Sequence, residues 1–478
     1  IPFFTFMKKL STLMASVLLF AAAGPVRADE VKLTTALEVG KQISLSVNPG
    51  LKLTLTWGDG QTETLTASGT LQNLTVKHTD LTISTTEGSL TALYLQGNAL
   101  TNLDVTKAPE LKFLLAADNQ LAKMDLAKCT KLQSVDLQGN RLTSFAGSTL
   151  TELTDLNVAA NELGSSGLRM ANTARPHYLV AQHNKLSSTI SSSLLSEVRT
   201  LWISDNQYRN LTLSGNAMLR SLCAANNQIK TLTLANMPLL EDVWVEHNQL
   251  AKLDLSKGSP KLQTLSADHN KLTEVLWDVK CKNTCRFVYL NDNALFLNSM
   301  PALKISGQAV KVNYQPQTDF DFGERYELNK EVDLAPYINK NGWGLSTFAK
   351  YTLTNAEGQE LVKGTDYAES SRKITFLTSH KGVVLKVQDN SGNYQFRTAP
   401  FTVGSPTGIE QAPTTQTEGF SVYGERGALR IETERAAAVS VYNAAGASVY
   451  RGTIEAGTHR LNLPAGIYVV NGSKVVVA

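Results

Sequence analysis

Cysteine is scarce, with four residues in a chain of 478. So few cannot staple a small disulfide scaffold, and stability must come from buried apolar surface. An excess of one charge is missing too. The formal net charge is +3, and Lys8, Lys9 and Arg27 supply all of it, because residues 1–28 contain no acid. From residue 29 onward 42 basic residues meet 42 acidic ones. No basic tract is left there, so no nucleic-acid partner is expected. His-Glu-x-x-His, Gly-x-Ser-x-Gly and a phosphate-binding glycine loop are all absent, so no catalytic residue, enzyme activity or cofactor is expected. Cys281 and Cys285 could bridge locally, whereas zinc would need a second ligand pair that the neighbouring sequence does not offer. No metal is expected. The longest apolar run, Leu10 to Ala23, is short for a spanning helix. It follows Lys8 and Lys9 and precedes Val26-Arg27-Ala28. That order describes a secretory signal peptide over residues 1–28, with Met7 as initiator.

What the chain has instead is a repeat. Leu90-x-x-Leu93-x-Leu95-x-x-Asn98-x-Leu100 recurs, and its asparagine returns at Asn119, Asn140, Asn161, Asn184, Asn206, Asn227, Asn248, Asn270 and Asn293. The spacing is 21 to 23 residues throughout. Ten registered copies define a leucine-rich repeat solenoid over residues 90–317. Positions 1, 4, 6 and 11 of each copy should point inward and stack. The asparagine at position 9 should bond backbone groups that the turn leaves without partners. The other half of the repeat alternates apolar and polar, as in Leu103-Asp104-Val105, Met124-Asp125-Leu126, Leu211-Thr212-Leu213 and Leu253-Asp254-Leu255. A period of two predicts extended chain with little room for helix. Gly164 to Arg175 breaks this pattern and predicts a loop or bulge on the convex side.

The flanks read as β-structure, giving a mainly β chain. Residues 29–89 form a β-rich N-terminal cap, with strands over Lys41 to Val47, Lys52 to Trp57 and Thr62 to Thr66. A solenoid's first coil has an open apolar face that needs such a cover. Residues 318–403 carry spaced short strands, among them Tyr351-Thr-Leu-Thr and Lys373-Ile-Thr-Phe, with turns at Glu357-Gly358 and Ser391-Gly392. They suggest an immunoglobulin-like sandwich. Residues 404–418 read as a linker. Residues 419–478 form a C-terminal β-sandwich, closed by a hairpin across Asn471-Gly472.

Strand positions 3 and 5 should face solvent on the concave side. They place Tyr94, Phe113, Tyr178, Trp202, Trp244, Phe287 and Tyr289 there, a row of aromatics suited to a ligand platform. Position 8 adds His247 and His269, in adjacent repeats beside two carboxylates. These could serve as a pH-sensitive or cation-binding patch, although polar rows are ordinary on any solenoid surface.

Three family resemblances follow from quoted residues. Trp57-Gly58-Asp59-Gly60 resembles the signature of polycystic-kidney-disease-type β-domains. Repeats such as Leu240-Glu-Asp-Val-Trp-Val-Glu-His-Asn-Gln-Leu-Ala-Lys-Leu-Asp-Leu resemble those of internalin J-type bacterial surface proteins. Val441-Tyr-Asn-Ala-Ala-Gly446, Leu463-Pro-Ala-Gly466-Ile-Tyr468 and Lys474-Val-Val-Val477 resemble the sorting domains of Bacteroidetes type IX secretion cargo, with Gly466, Tyr468 and Lys474 in the sorting motif. The chain ends in Ala478, where such tails often end in Lys or Arg. Together they resemble the internalin J-related leucine-rich repeat surface proteins of Porphyromonas and other Bacteroidetes. That resemblance implies a secreted protein held at the outer-membrane cell surface, with membrane attachment only through the sorting route. It also implies the type IX machinery as a partner, and adhesion to a protein or glycan on host or sister cells, in biofilm or attachment. A surface protein that captures glycans or nutrients is the alternative.

Overall fold

The computed structural model describes residues 28–191, 194–278, 280–281, 284–296, 310–335, 349–370, 373–389, 395–404, 420–471 and 473–478. Only Ala28 of the signal peptide and Gly404 of the linker are described, and the turn at Ser391-Gly392 lies outside the described residues, as does Gly472. By internal contacts the chain divides into two compact units. One holds residues 1–320, 335–351 and 386–397; the other holds 321–334, 352–385 and 398–478.

The first unit is built on one long sheet. Ten three-residue strands, from Ala92–Tyr94 to Phe287–Tyr289, pair in parallel and in register, one per repeat. An eleventh, Lys311–Asn313, adds to the far edge. Leucine, valine, isoleucine and alanine dominate positions 1, 4, 6 and 11, and every one of these positions from Leu90 to Leu295 is buried. Apolar surface removed from water, at about 25 cal/mol per Å², is what joins each coil to the next.

Beside this apolar stack runs the asparagine ladder. Asn119 is typical: its Oδ1 accepts from Leu100 N at 2.9 Å and Asn98 N at 3.0 Å. Its Nδ2 reaches the carbonyls of Leu95, Ala116 and Ala117 at 2.9 to 3.1 Å. An amide has two hydrogens, so three acceptors require one shared bond. From Asn140 to Asn293 the three carbonyl bonds recur while Oδ1 accepts one N–H, as Asn293 does from Leu272 N at 2.9 Å. At the near end Asn98 bonds Ser44 N and O, both at 2.7 Å, in the preceding β-region. At the far end Gln317 occupies the next rung. It accepts from Leu295 N and donates to Leu290 O, both at 2.8 Å.

Residues 30–107 supply a five-stranded sheet in the order 62–66, 52–57, 80–85, 30–35, 100–107. Strand Gln42–Val47 pairs antiparallel with Ala92–Tyr94, so the first repeat strand has no free edge. On the reverse side of the coil, short strands pair at Asn210–Thr212 with Thr231–Thr233, and at Lys252–Asp254 with Glu274–Leu276. Residues 124–126, also expected to be extended, form no strand. In the irregular segment Leu168–Met170 pairs with Phe145–Gly147. It borders a cavity of about 340 Å³ lined by Arg169, Met170, Ile190 and Tyr208.

In the second unit Glu331–Asp333, Lys373–Phe376 and Tyr367–Ser370 make a small antiparallel sheet. Residues 420–478 form two sheets, of three and four strands, closed over Leu429, Ile431, Val439, Val441 and Val470. Tyr468 joins that core, and its hydroxyl donates to Pro464 O at 3.0 Å. Gly466 pairs with Val477 at the hairpin's base, and Lys474, opposite Val469, is exposed. Among the described residues no helix is long and apolar enough to cross a membrane.

The cysteines differ from one expectation. Cys281 and Cys285 are buried free thiols rather than a bridge. Cys285 fills an inward position 1, and Cys281 Sγ donates to Ser259 O at 3.0 Å. Burial pushes both thiols up to about 12.

Candidate functional site on the outer face of the long sheet

Because strand side chains alternate, positions 3 and 5 face away from the solenoid interior while position 4 faces in. In-register pairing then lines position 5 across the sheet, from Val180 through Trp202, Cys223, Trp244 and Ser266 to Tyr289. Tyr94, Phe113, Tyr178, Trp244 and Tyr289 are half-buried on this face. Phe287 stands 42% exposed.

Trp202 corrects the expectation of a solvent-facing platform: it is only 6% exposed. Its indole lies in a cluster with Ala159, Val180 and Cys223, and Nε1 donates to Ser221 Oγ at 3.1 Å. Val180 and Cys223 flank it at position 5 of the two neighbouring strands, and Ala159 packs against it from two repeats away. An extended row of small and branched side chains buries a large ring even on an outward face.

Position 8 is governed by the backbone. Gly97, Asp118, Gly139, Ala160, His183, Asp205, Asn226, His247, His269 and Asp292 all have φ between 51° and 71°. Glycine, asparagine, aspartate and histidine tolerate this left-handed region best. The polar character of the row thus has a conformational cause, and the alternation of Gly, Asp and Asn at position 8 was the signal that could have revealed it. The same turn aligns the side chains. His183 Nδ1 lies 3.4 Å from Asp205, and Asn226 donates to Asp205 at 2.9 Å. The rings of His247 and His269 stack with centroids 4.2 Å apart.

Several acids on this face sit in a dry setting. Burial raises Asp136 to about 6, opposed by hydrogen bonds from Gln138 and Asn157. Burial raises Glu246 as well, helped by the charge of Asp268. Burial also raises Tyr94. Asp136 and Glu246 lie on repeats far apart along the sheet, so they make no acid–base pair. The face is suited to holding a surface against it. Sequence reading set Glu246 and Asp268 beside the histidine pair but gave no sign that Glu246 and Asp136 are buried enough to be raised, and it missed Gln317 because a glutamine breaks the asparagine register.

No protein-family model matches the chain, and no curated protein matches it. Solved structures do resemble it. The leucine-rich repeat domain of APL1 is 23% identical with a TM-score of 0.35, over 45% of this chain and 65% of that one. This chain therefore spans just under two thirds of the APL1 chain. The functional domain of InlJ from Listeria monocytogenes is 15% identical with a TM-score of 0.23, over 65% and 90% of the two chains. An internalin-like protein of Listeria monocytogenes is 14% identical with a TM-score of 0.35, over 66% and 87%. The parallel strands and the asparagine ladder themselves make this a leucine-rich repeat solenoid.

Proposed function

We propose that this chain is a cell-surface leucine-rich repeat adhesin. It binds a protein or glycan on host or sister cells through the outer face of the long sheet, in biofilm formation or attachment. Phe287 carries the reading. It is the one exposed Phe, Tyr or Trp ring among the described residues, and it stands beside half-buried Tyr289, with Trp244 two strands away. Apolar surface kept in water at the end of an aromatic row is what an interface consumes. The surface location rests on the signal-peptide pattern of residues 1–28 and on the sorting-domain resemblance of residues 419–478, with Gly466, Tyr468 and Lys474 in its motif.

The test is biofilm mass in a deletion strain complemented with wild type or with Trp244→Ser/Phe287→Ser, surface display of each being checked. Biofilm restored by wild type and lost with the displayed double variant supports the reading. Restoration by both removes these rings from the binding site. Competition by soluble sugars would favour glycan capture over cell-to-cell adhesion. A strain lacking residues 419–478 should lose surface display.

A further inference from the structure

His247 and His269 occupy position 8 of adjacent repeats, with φ of 53° and 51°. Equal backbone geometry one strand spacing apart sets their rings in a near-parallel stack, inclined by 22°. Asp268, at position 7, is beside them. One donor atom from each of His247, Asp268 and His269 can be chosen so that all three lie within 4.8 Å of one another. The geometry points to a divalent transition-metal site formed by His247, Asp268 and His269 on the rim of the long sheet.

Two further features fit a cation there. His269 Nδ1 lies 2.9 Å from Asp268 Oδ2, while Nε2, on the opposite side of the ring, lies 3.5 Å from Asp292 Oδ2. Nδ1 is therefore hydrogen-bonded to Asp268 in the metal-free chain, and with the ring N–H turned instead toward Asp292, Nδ1 can offer a metal its lone pair. A carboxylate behind a histidine is the usual support of a metal-binding imidazole. Next, Glu246 at position 7 of the preceding repeat has a buried Oε2 with no hydrogen-bond partner. Crowded carboxylates gain from a cation close by. The left-handed turn tolerates histidine, as His183 shows at φ 55°; what sets His247 and His269 apart is that they are adjacent and share Asp268.

Two imidazoles and one carboxylate select a borderline cation such as Zn²⁺ or Cu²⁺ over Ca²⁺ or Mg²⁺. Bonds of about 2.0–2.2 Å hold such donors closer together than 4.8 Å. Binding therefore closes the cluster by rotation of side chains, and both rings are exposed and able to turn. Three protein ligands leave a fourth position open to solvent.

The experiment is calorimetric titration of the full chain with ZnCl₂ and, separately, CuSO₄. One equivalent should bind, copper more tightly than zinc, with affinity falling in acid because the ligands must be deprotonated to bind. His247→Asn and His269→Asn should each weaken zinc binding by at least about tenfold, and Asp292→Asn by about 10–100-fold. Asparagine is chosen because Asn226 already adopts the same backbone at φ 52°, which keeps the variants folded; their urea midpoints should match wild type within error. Cys281→Ser/Cys285→Ser should bind as wild type. Absence of binding by either metal overturns the site, and so does affinity that survives both histidine changes or that disappears with the cysteines. The outcome is independent of the biofilm assay, whose variants alter neither histidine.

Discussion

Positions 8 and 9 of the repeat are adjacent in the chain and opposite in what constrains them. Position 9 is asparagine in all ten repeats, and each side chain is buried or nearly so, bonded to the backbone of two coils. Position 8 is glycine, alanine, aspartate, asparagine or histidine, mostly exposed, with a φ that hardly changes. At position 9 the side chain is the structure. At position 8 the backbone is the structure, and any side chain tolerating that backbone is free to do something else. Variation in a repeat therefore marks where function has room, once its conformational limits are subtracted.

Asn226 and Asn227 put this contrast to its hardest test, since one residue type fills both positions. Asn227 Oδ1 accepts from Tyr208 N at 3.0 Å, and its Nδ2 serves three carbonyls at 3.0 to 3.2 Å. Asn227→Ala strands these groups away from water and should cost about 2–3 kcal/mol, read as a fall in the urea midpoint at unchanged m-value. Asn226→Ala loses only an exposed bond to Asp205 and some left-handed tolerance. It should cost about 1 kcal/mol. Equal losses at the two sites would erase the distinction.

Ala160 approaches the same contrast from the favourable side. It holds φ 51° with no side-chain compensation, so Ala160→Gly should raise stability by about 1 kcal/mol despite the added freedom of the unfolded chain. A loss of stability would mean that the turn is not strained at alanine.

Most of the solenoid could be read from sequence because its determinants are local and recur. Leu-x-x-Leu-x-Leu-x-x-Asn fixes strand, turn and inward face in one stretch, and the rung at Asn140 behaves like that at Asn293. Gln317 was hidden because the next rung is made by a longer side chain reaching the same groups. The candidate surface was harder. Alternation correctly put Trp244, Phe287 and Tyr289 on the outward face, but exposure depends on neighbours across strands. Trp202 is covered because Ala159, Val180 and Cys223 come beside it from separate repeats. The histidine pair was visible as two residues of one row. The stacking at 4.2 Å and the approach of Asp268 and Asp292 to the His269 ring, at 2.9 and 3.5 Å, needed coordinates.

Asp136 gives the mildest and most specific test. It is a polar group on the outward face, half-buried where the ladder asparagines are almost all buried, and it carries a charge. Burial lifts it from an ordinary 3.8 to about 6. Between those values the native chain holds a proton that the unfolded chain has released, so stability falls as pH rises through that window, and the cost stands in full above about pH 6. Two units correspond to ~3 kcal/mol at most, but Asp136 keeps an edge in solvent. Asp136→Asn, which has the same shape and no charge, should therefore gain about 0.5–1 kcal/mol at pH 7, a discount made for that solvent. The gain should vanish below about pH 4. Urea unfolding of both proteins at the two pH values reads the difference directly. A gain that persists at low pH would assign the effect to packing, and no gain at pH 7 would show that water reaches Asp136 as freely as it reaches position 8.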